Sequence, residues 1–246
     1  KNLWLLALCQ GLLSTNNVVF IAINGLVGLE LAPFGWMATL PVMGYVVGGA
    51  LSTPLVAASQ ARWGRRGSFQ LGLVVASPSA APCAWAAFSA NFWLLCAATA
   101  IAGYYNANGQ LYRFAAAELT APAFREKAVS LVLAGGLLGA VAGPNLASGT
   151  RNLFPVPFAG AYLALMLVAL LAMVCMAGVH FESLPAPAPG AAAPPAGRPV
   201  SALLRQPAFA VAMLGAALGY GVMNLLMAAT PLAMQVCGFG FDSAAL

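Results

Sequence analysis

Long apolar runs fill the chain, and each gives way to a short cluster of polar, Gly or Pro residues before the next begins. About 20 mostly apolar residues suffice for a helix to cross the hydrocarbon core of a bilayer. Seven runs meet that length and are predicted to span at 3–28, 35–59, 69–89, 92–117, 128–148, 156–181 and 207–234. Short connections force neighbouring helices to run antiparallel. Lipid cannot satisfy an open sheet edge, so helices are the spanning form that leaves no backbone group unpaired. The expected fold is therefore an all-α membrane bundle. One stretch breaks the rhythm: 182–206 carries Pro185, Pro187, Pro189, Pro194, Pro195 and Pro199 among Ala and Gly. Such a composition makes a semi-stiff linker. The predicted layout is a six-helix unit at 1–181, a linker at 182–206, and at 207–246 the first helix and following loop of an incomplete second unit.

Composition agrees with this pattern. Hydrophobic residues make up 62% of the chain and charged ones 6%, against about 45–50% and about 25% in soluble domains. So few charges cannot cover a water-exposed surface. The net charge of +5 is not spread as a nucleic-acid-binding patch. With alternate crossing, Lys1, Arg62, Arg65, Arg66, Arg113, Arg125, Lys127, Arg198 and Arg205 fall on one side, and Arg151 alone on the other. Excess Lys and Arg mark the cytoplasmic side, so the N-terminus and the 182–206 linker are expected there, beside anionic lipid headgroups. Trp4, Trp36, Trp63 and Trp93 sit near predicted span ends, where indole suits the headgroup layer. Cys9, Cys83, Cys96, Cys175 and Cys237 are scattered without metal spacing and read as free thiols. No metal and no cofactor is expected.

Polar side chains inside spans are costly in lipid and face the bundle interior or a wet space. Gln10, Ser14, Asn17 and Asn24 recur along one face of the first span, flanked by Asn16. Asn106, Gln110 and Arg113 do so in the fourth, with Tyr105 and Asn108 nearby, and the seventh carries Tyr220 and Asn224. Two readings stay open: a solute-binding face, or bonds between helices worth about 0.6 kcal/mol each. Arg113 is either a contact for an anionic solute or an anchor that snorkels to the headgroups. Glu30 and Asp242 lie near outer ends, Glu118, Glu126 and Glu182 near the inner face, and His180 at the end of the sixth span. No acid sits at mid-depth for proton coupling.

Two motifs and a weak repeat carry a family resemblance. The loop after the second span reads Ala61-Arg62-Trp63-Gly64-Arg65-Arg66, and the fifth span contains Gly139-Ala-Val-Ala-Gly143-Pro144. Gly44, Gly48 and Leu51 recur as Gly139, Gly143 and Leu146 at one constant offset, as inverted three-helix repeats would give. The loop resembles the Asp-Arg-x-Gly-Arg-Arg/Lys signature of the major facilitator superfamily (MFS), and the span resembles that superfamily's fifth-helix Gly-x-x-x-Gly-Pro element. Further runs, Tyr112-Arg113-Phe114, Phe124-Arg125-Glu126-Lys127 and Thr230-Pro231-Leu232, look like a bacterial branch that includes a riboflavin transporter.

The resemblance implies an MFS-type bundle with twelve helices in the whole protein, so that the C-terminal half is largely missing here. It implies transport of a small organic solute by alternating access in a bacterial inner membrane, by a monomer that needs lipid and solute but no nucleic acid. Helices one, four and seven would line the central cavity, where the polar stripes fall. Arg62, Gly64, Arg65, Arg66, Gly139, Gly143 and Pro144 would serve gating; for Gly139, Gly143 and Pro144 a packing kink without movement stays open as the other reading. The signature's Asp is replaced by Ala61, so the charged lock is either weakened or built otherwise, from Glu118, Glu126 or Glu182 with the arginines. Nutrient uptake, multidrug efflux and a non-transporting seven-helix receptor remain alternatives. A retinal protein lacks support, since span seven has no Lys. An intramembrane protease lacks both a Gly-x-Ser-x-Gly nucleophile and paired mid-span acids, so no enzyme is expected.

Overall fold

The computed structural model describes residues 1–181 and 200–238, and within these the regular structure is helical. Most of the predicted linker, 182–199, lies outside the described residues, as do 239–246. Helix α1 covers Asn2–Leu31. Helix α2 runs Leu40–Phe88, and its length exposes a constraint. At 1.5 Å per residue a straight helix of 49 residues would reach about 74 Å, more than twice the hydrocarbon thickness. Gly64 resolves this with φ 70° and ψ 179°, a backbone state that residues with a Cβ rarely adopt. The arms 40–63 and 65–88 fold back on each other there, so that Ser59 Oγ and Ser68 Oγ stand 2.6 Å apart. The second and third predicted spans are these two arms.

The fourth predicted span is broken rather than continuous. Helix α3, Phe92–Gly109, starts where Asn91 Oδ1 accepts from Leu94 N at 3.0 Å, a regular N-cap. A tight turn at Gln110 and Leu111 then leads into α4, Tyr112–Glu118. Helix α5 is Arg125–Thr150 and contains Pro144, which removes one backbone donor. Next to it, Asn145 Nδ2 donates to Val141 O at 2.8 Å. Helix α6, Ala159–Ala177, follows a loop closed by Phe158 N on Arg151 O at 3.0 Å. After the short α7, Val200–Leu204, helix α8 spans Pro207–Val236.

Two close crossings organise the bundle. Helix α5 lies on α1 through Gly135, Gly139 and Gly143: a Cβ on Gly139 would stand 2.0 Å from Gly11 O, and one on Gly135 2.2 Å from Ala7 O. Helix α3 lies on the first arm of α2 in the same manner, with a Cβ on Gly48 only 2.1 Å from Ala100 O. The glycines that recur in the sequence thus perform one packing job twice, letting backbones meet where lipid supplies no hydrophobic drive. Helix α8 touches α1 by its C-terminal half, where Gly25 faces Ala228 and Leu232.

The outward faces are apolar. Leu51 and Leu138 are each 72% exposed and Val174 71%, and a belt of such residues encircles the bundle. A patch of this extent is stable against acyl chains and not against water. The contacts also sort the two ends. Asn2 Nδ2 donates to His180 O at 2.7 Å, Arg66 Nη2 to Ala177 O at 2.6 Å, and Arg65 pairs with Glu118. Lys1, Arg62, Arg65 and Arg66 therefore share one end, while Phe88 meets Phe154 at the other, beside Arg151.

Candidate functional site

The amides of α1 and α3 meet at mid-depth. Asn17 Nδ2 donates to Asn106 Oδ1 at 3.2 Å, and Gln110 Nε2 donates to the same oxygen at 3.2 Å. The first arm of α2 joins them, because the Tyr45 hydroxyl donates to Asn17 Oδ1. Tyr45 is buried and its ring lies 5.0 Å from that of Phe20. Three helices thus converge on one chain of hydrogen bonds. Gln10 and Ser14 continue the α1 face toward α5, with Ser14 Oγ 2.9 Å from where a Cβ on Gly136 would stand. Glycine at 136 is what leaves that face open.

The remaining stripe residues are engaged elsewhere. Asn24 accepts from the Tyr162 hydroxyl at 2.6 Å, deep between α1 and α6. Asn108 accepts from Ser68 Oγ at 3.1 Å and donates to Ser68 O at 2.9 Å, tying α3 to the second arm of α2. Tyr105 is buried in an apolar cluster with Leu13, Phe69 and Leu73, beside Tyr112. Asn16 is buried on α1 next to Asn17. Arg113 stacks its guanidinium 5.2 Å from the Phe114 ring. On α8, Asn224 Nδ2 bonds back to Tyr220 O at 2.8 Å, and Tyr220 itself is exposed. Of the polar residues singled out from the sequence, the fold draws together Asn17, Asn106 and Gln110 and engages Asn24, Asn108 and Asn224 elsewhere.

The Major Facilitator Superfamily sequence model matches residues 3–246. The chain belongs to the Major Facilitator Superfamily. It is a multi-pass membrane protein of that superfamily, with five helices among the described residues long and apolar enough to cross a bilayer. It is 32% identical over 252 aligned residues to the riboflavin transporter RfnT of Brucella anthropi, an alignment covering all of this chain and 62% of the relative. The chain thus spans less than two thirds of that curated relative's length. No solved structure matches it.

At the basic end, the superfamily signature is a structural hinge as well as a charge cluster. Gly64 makes the reversal, Arg62 lies 5.3 Å from the Trp63 ring, and Arg66 reaches the last turn of α6. Arg65 bonds Glu118 through two nitrogens, with Nε to Oε2 at 3.0 Å, and also bonds Gln60. Ala61 stands where the signature has its acid, and the acid that Arg65 meets is Glu118 at the end of α4. Ser59, Ser68, Tyr104 and Asn108 form a buried chain under this hinge.

Tyr45 and Tyr162 are the residues that reading along the sequence missed. Tyr45 lies in the second turn of α2 and Tyr162 in the first turn of α6, and both are buried. A buried tyrosine hydroxyl needs a partner, but nothing along the sequence separates these two from tyrosines of the headgroup layer.

Proposed function

We propose that the protein transports a planar organic solute with several hydrogen-bonding groups across a bacterial cytoplasmic membrane by alternating access. The observation that carries this is the Asn17–Asn106–Gln110 chain, uncharged and bridging α1 and α3 at mid-depth. An uncharged amide face suits a neutral polar ring, and the similarity to a riboflavin transporter makes riboflavin the first solute to test. Gln10 and Ser14 extend this face, while Tyr220 and Asn224 bound it from α8. Residues 1–181 form one half, 182–206 a cytoplasmic linker, and 207–246 belong to a second half. The basic end faces the cytoplasm, following the positive-inside rule. Arg65 with Glu118, the Gly139–Gly143 crossing and the Pro144 bend are the parts that yield during the cycle.

The test is uptake of labelled riboflavin by cells or vesicles carrying the full-length protein. Rescue of a riboflavin-requiring strain that lacks its own uptake is the expected result. Failure of rescue together with raised drug tolerance would overturn import in favour of efflux.

A further inference from the structure

The direction of each hydrogen bond decides what the amide chain can still offer. An Asn or Gln amide carries two N–H donors and one acceptor oxygen, while a phenol O–H is a stronger donor than acceptor. Tyr45 donates to Asn17 Oδ1, which turns Asn17 Nδ2 toward Asn106. Asn106 Oδ1 then receives two donors, from Asn17 and from Gln110. That leaves Asn106 Nδ2 and Gln110 Oε1 without hydrogen bonds among the described residues, on adjacent amides. Asn24 Nδ2 is sealed and unpaired; these two atoms are not sealed. Asn106 is only 7% exposed, so its remaining N–H groups are held rigidly. Gly49 lies opposite, a Cβ there standing 3.7 Å from Asn106 Nδ2.

We infer that Tyr45 is a positioning residue that orients Asn17 and Asn106, so that a donor (Asn106 Nδ2) and a neighbouring acceptor (Gln110 Oε1) face the solute, the complement of a cyclic imide or lactam edge. Such an edge pairs a ring C=O with an adjacent ring N–H. The carbonyl accepts from Asn106 and the N–H donates to Gln110. The inference rests on the transport reading and deepens it, because riboflavin carries a cyclic imide. A ring lacking the N–H leaves Gln110 Oε1 facing an apolar group, and sites built to bond an N–H reject such analogues strongly.

The experiment measures binding of riboflavin and of N3-methylriboflavin to the purified full-length protein by flavin fluorescence, alongside vesicle uptake. The protein should favour riboflavin by about a hundredfold, since an unpaired buried acceptor costs a few kcal/mol. Tyr45→Phe keeps the ring on Phe20 but frees the Asn17 amide to rotate. It should raise the KM for riboflavin about tenfold with Vmax per folded protein retained, and narrow the preference over the methylated analogue to about threefold. A purely structural role for Tyr45 would instead lower the amount of folded protein and leave the preference untouched. Gln110→Met, which removes the acceptor without touching the Phe20 stack, should abolish the same preference. Equal binding of both flavins, no flavin binding, or a preference unchanged in both variants overturns the inference. Binding with the expected preference but no uptake would overturn the transport reading alone.

Discussion

Arg65 and Glu118 form a two-pronged ion pair that closes the hinge of α2 onto the end of α4. Glu118 is half exposed, so solvent screening limits the pair to about 1 kcal/mol or less of stability. Its value lies in where it sits, across two elements that must separate if this end opens.

Charge reversal tests that role. Glu118→Arg should cut the uptake rate several-fold while thermal stability in detergent stays nearly constant. The double variant Arg65→Glu with Glu118→Arg should recover most of the rate, because it restores an attractive pair. No recovery in the double variant would remove the pair from the transport cycle.

The α1–α5 crossing predicts a graded series. Gly139→Ala would place a methyl carbon 2.0 Å from a backbone oxygen, which no rotamer change relieves, and should destabilise by about 1–3 kcal/mol. Gly143→Ala meets the Val18 side chain at 3.2 Å and Thr15 O at 3.4 Å, looser contacts that should cost less. Gly149→Ala meets nothing within 4 Å and should be neutral or slightly stabilising. Detergent unfolding midpoints in that order would support the crossing; equal midpoints would contradict it.

Asn17 and Asn24 lie on one stripe and should separate cleanly by assay. Replacing both Asn17 and Asn106 by Leu should abolish uptake even when counted per folded protein, since the change also takes from the buried Tyr45 hydroxyl its acceptor and costs some stability. Asn24→Leu leaves the Tyr162 hydroxyl buried without its partner, costing about 1–3 kcal/mol of stability with KM nearly unchanged. A large KM change from Asn24→Leu would return that residue to the binding face.

Orientation can be checked with thiol reagents that do not cross membranes. Cys237 is exposed beyond the crossing helix α8 and should label from outside intact cells. A cysteine replacing exposed Arg62 should label only after the membrane is opened. Labelling of that position from outside would invert the assigned topology.

Much of the fold was legible in the residues because its signals are local. Crossing length and the loop arginines each lie within one segment, and the Gly139–Gly143 run announces a tight crossing. The Gly64 reversal was present in the Arg-Trp-Gly-Arg-Arg loop. The break at Gln110 and Leu111 was not, since the apolar pattern continues through it. The candidate face was legible only as stripes. Helical period shows which residues share a face of one helix and says nothing about which helix they meet.

The sequence alone determined that this chain crosses a membrane as helices, which loops share a side, and which helix faces carry amides, because lipid imposes those choices segment by segment. Tertiary structure decided that Asn17 meets Asn106 while Asn24 meets Tyr162, and that Tyr45 bonds Asn17. Hydrogen bonds between residues far apart in the chain depend on how glycine contacts set helix crossings, and that geometry exists only once the helices are packed.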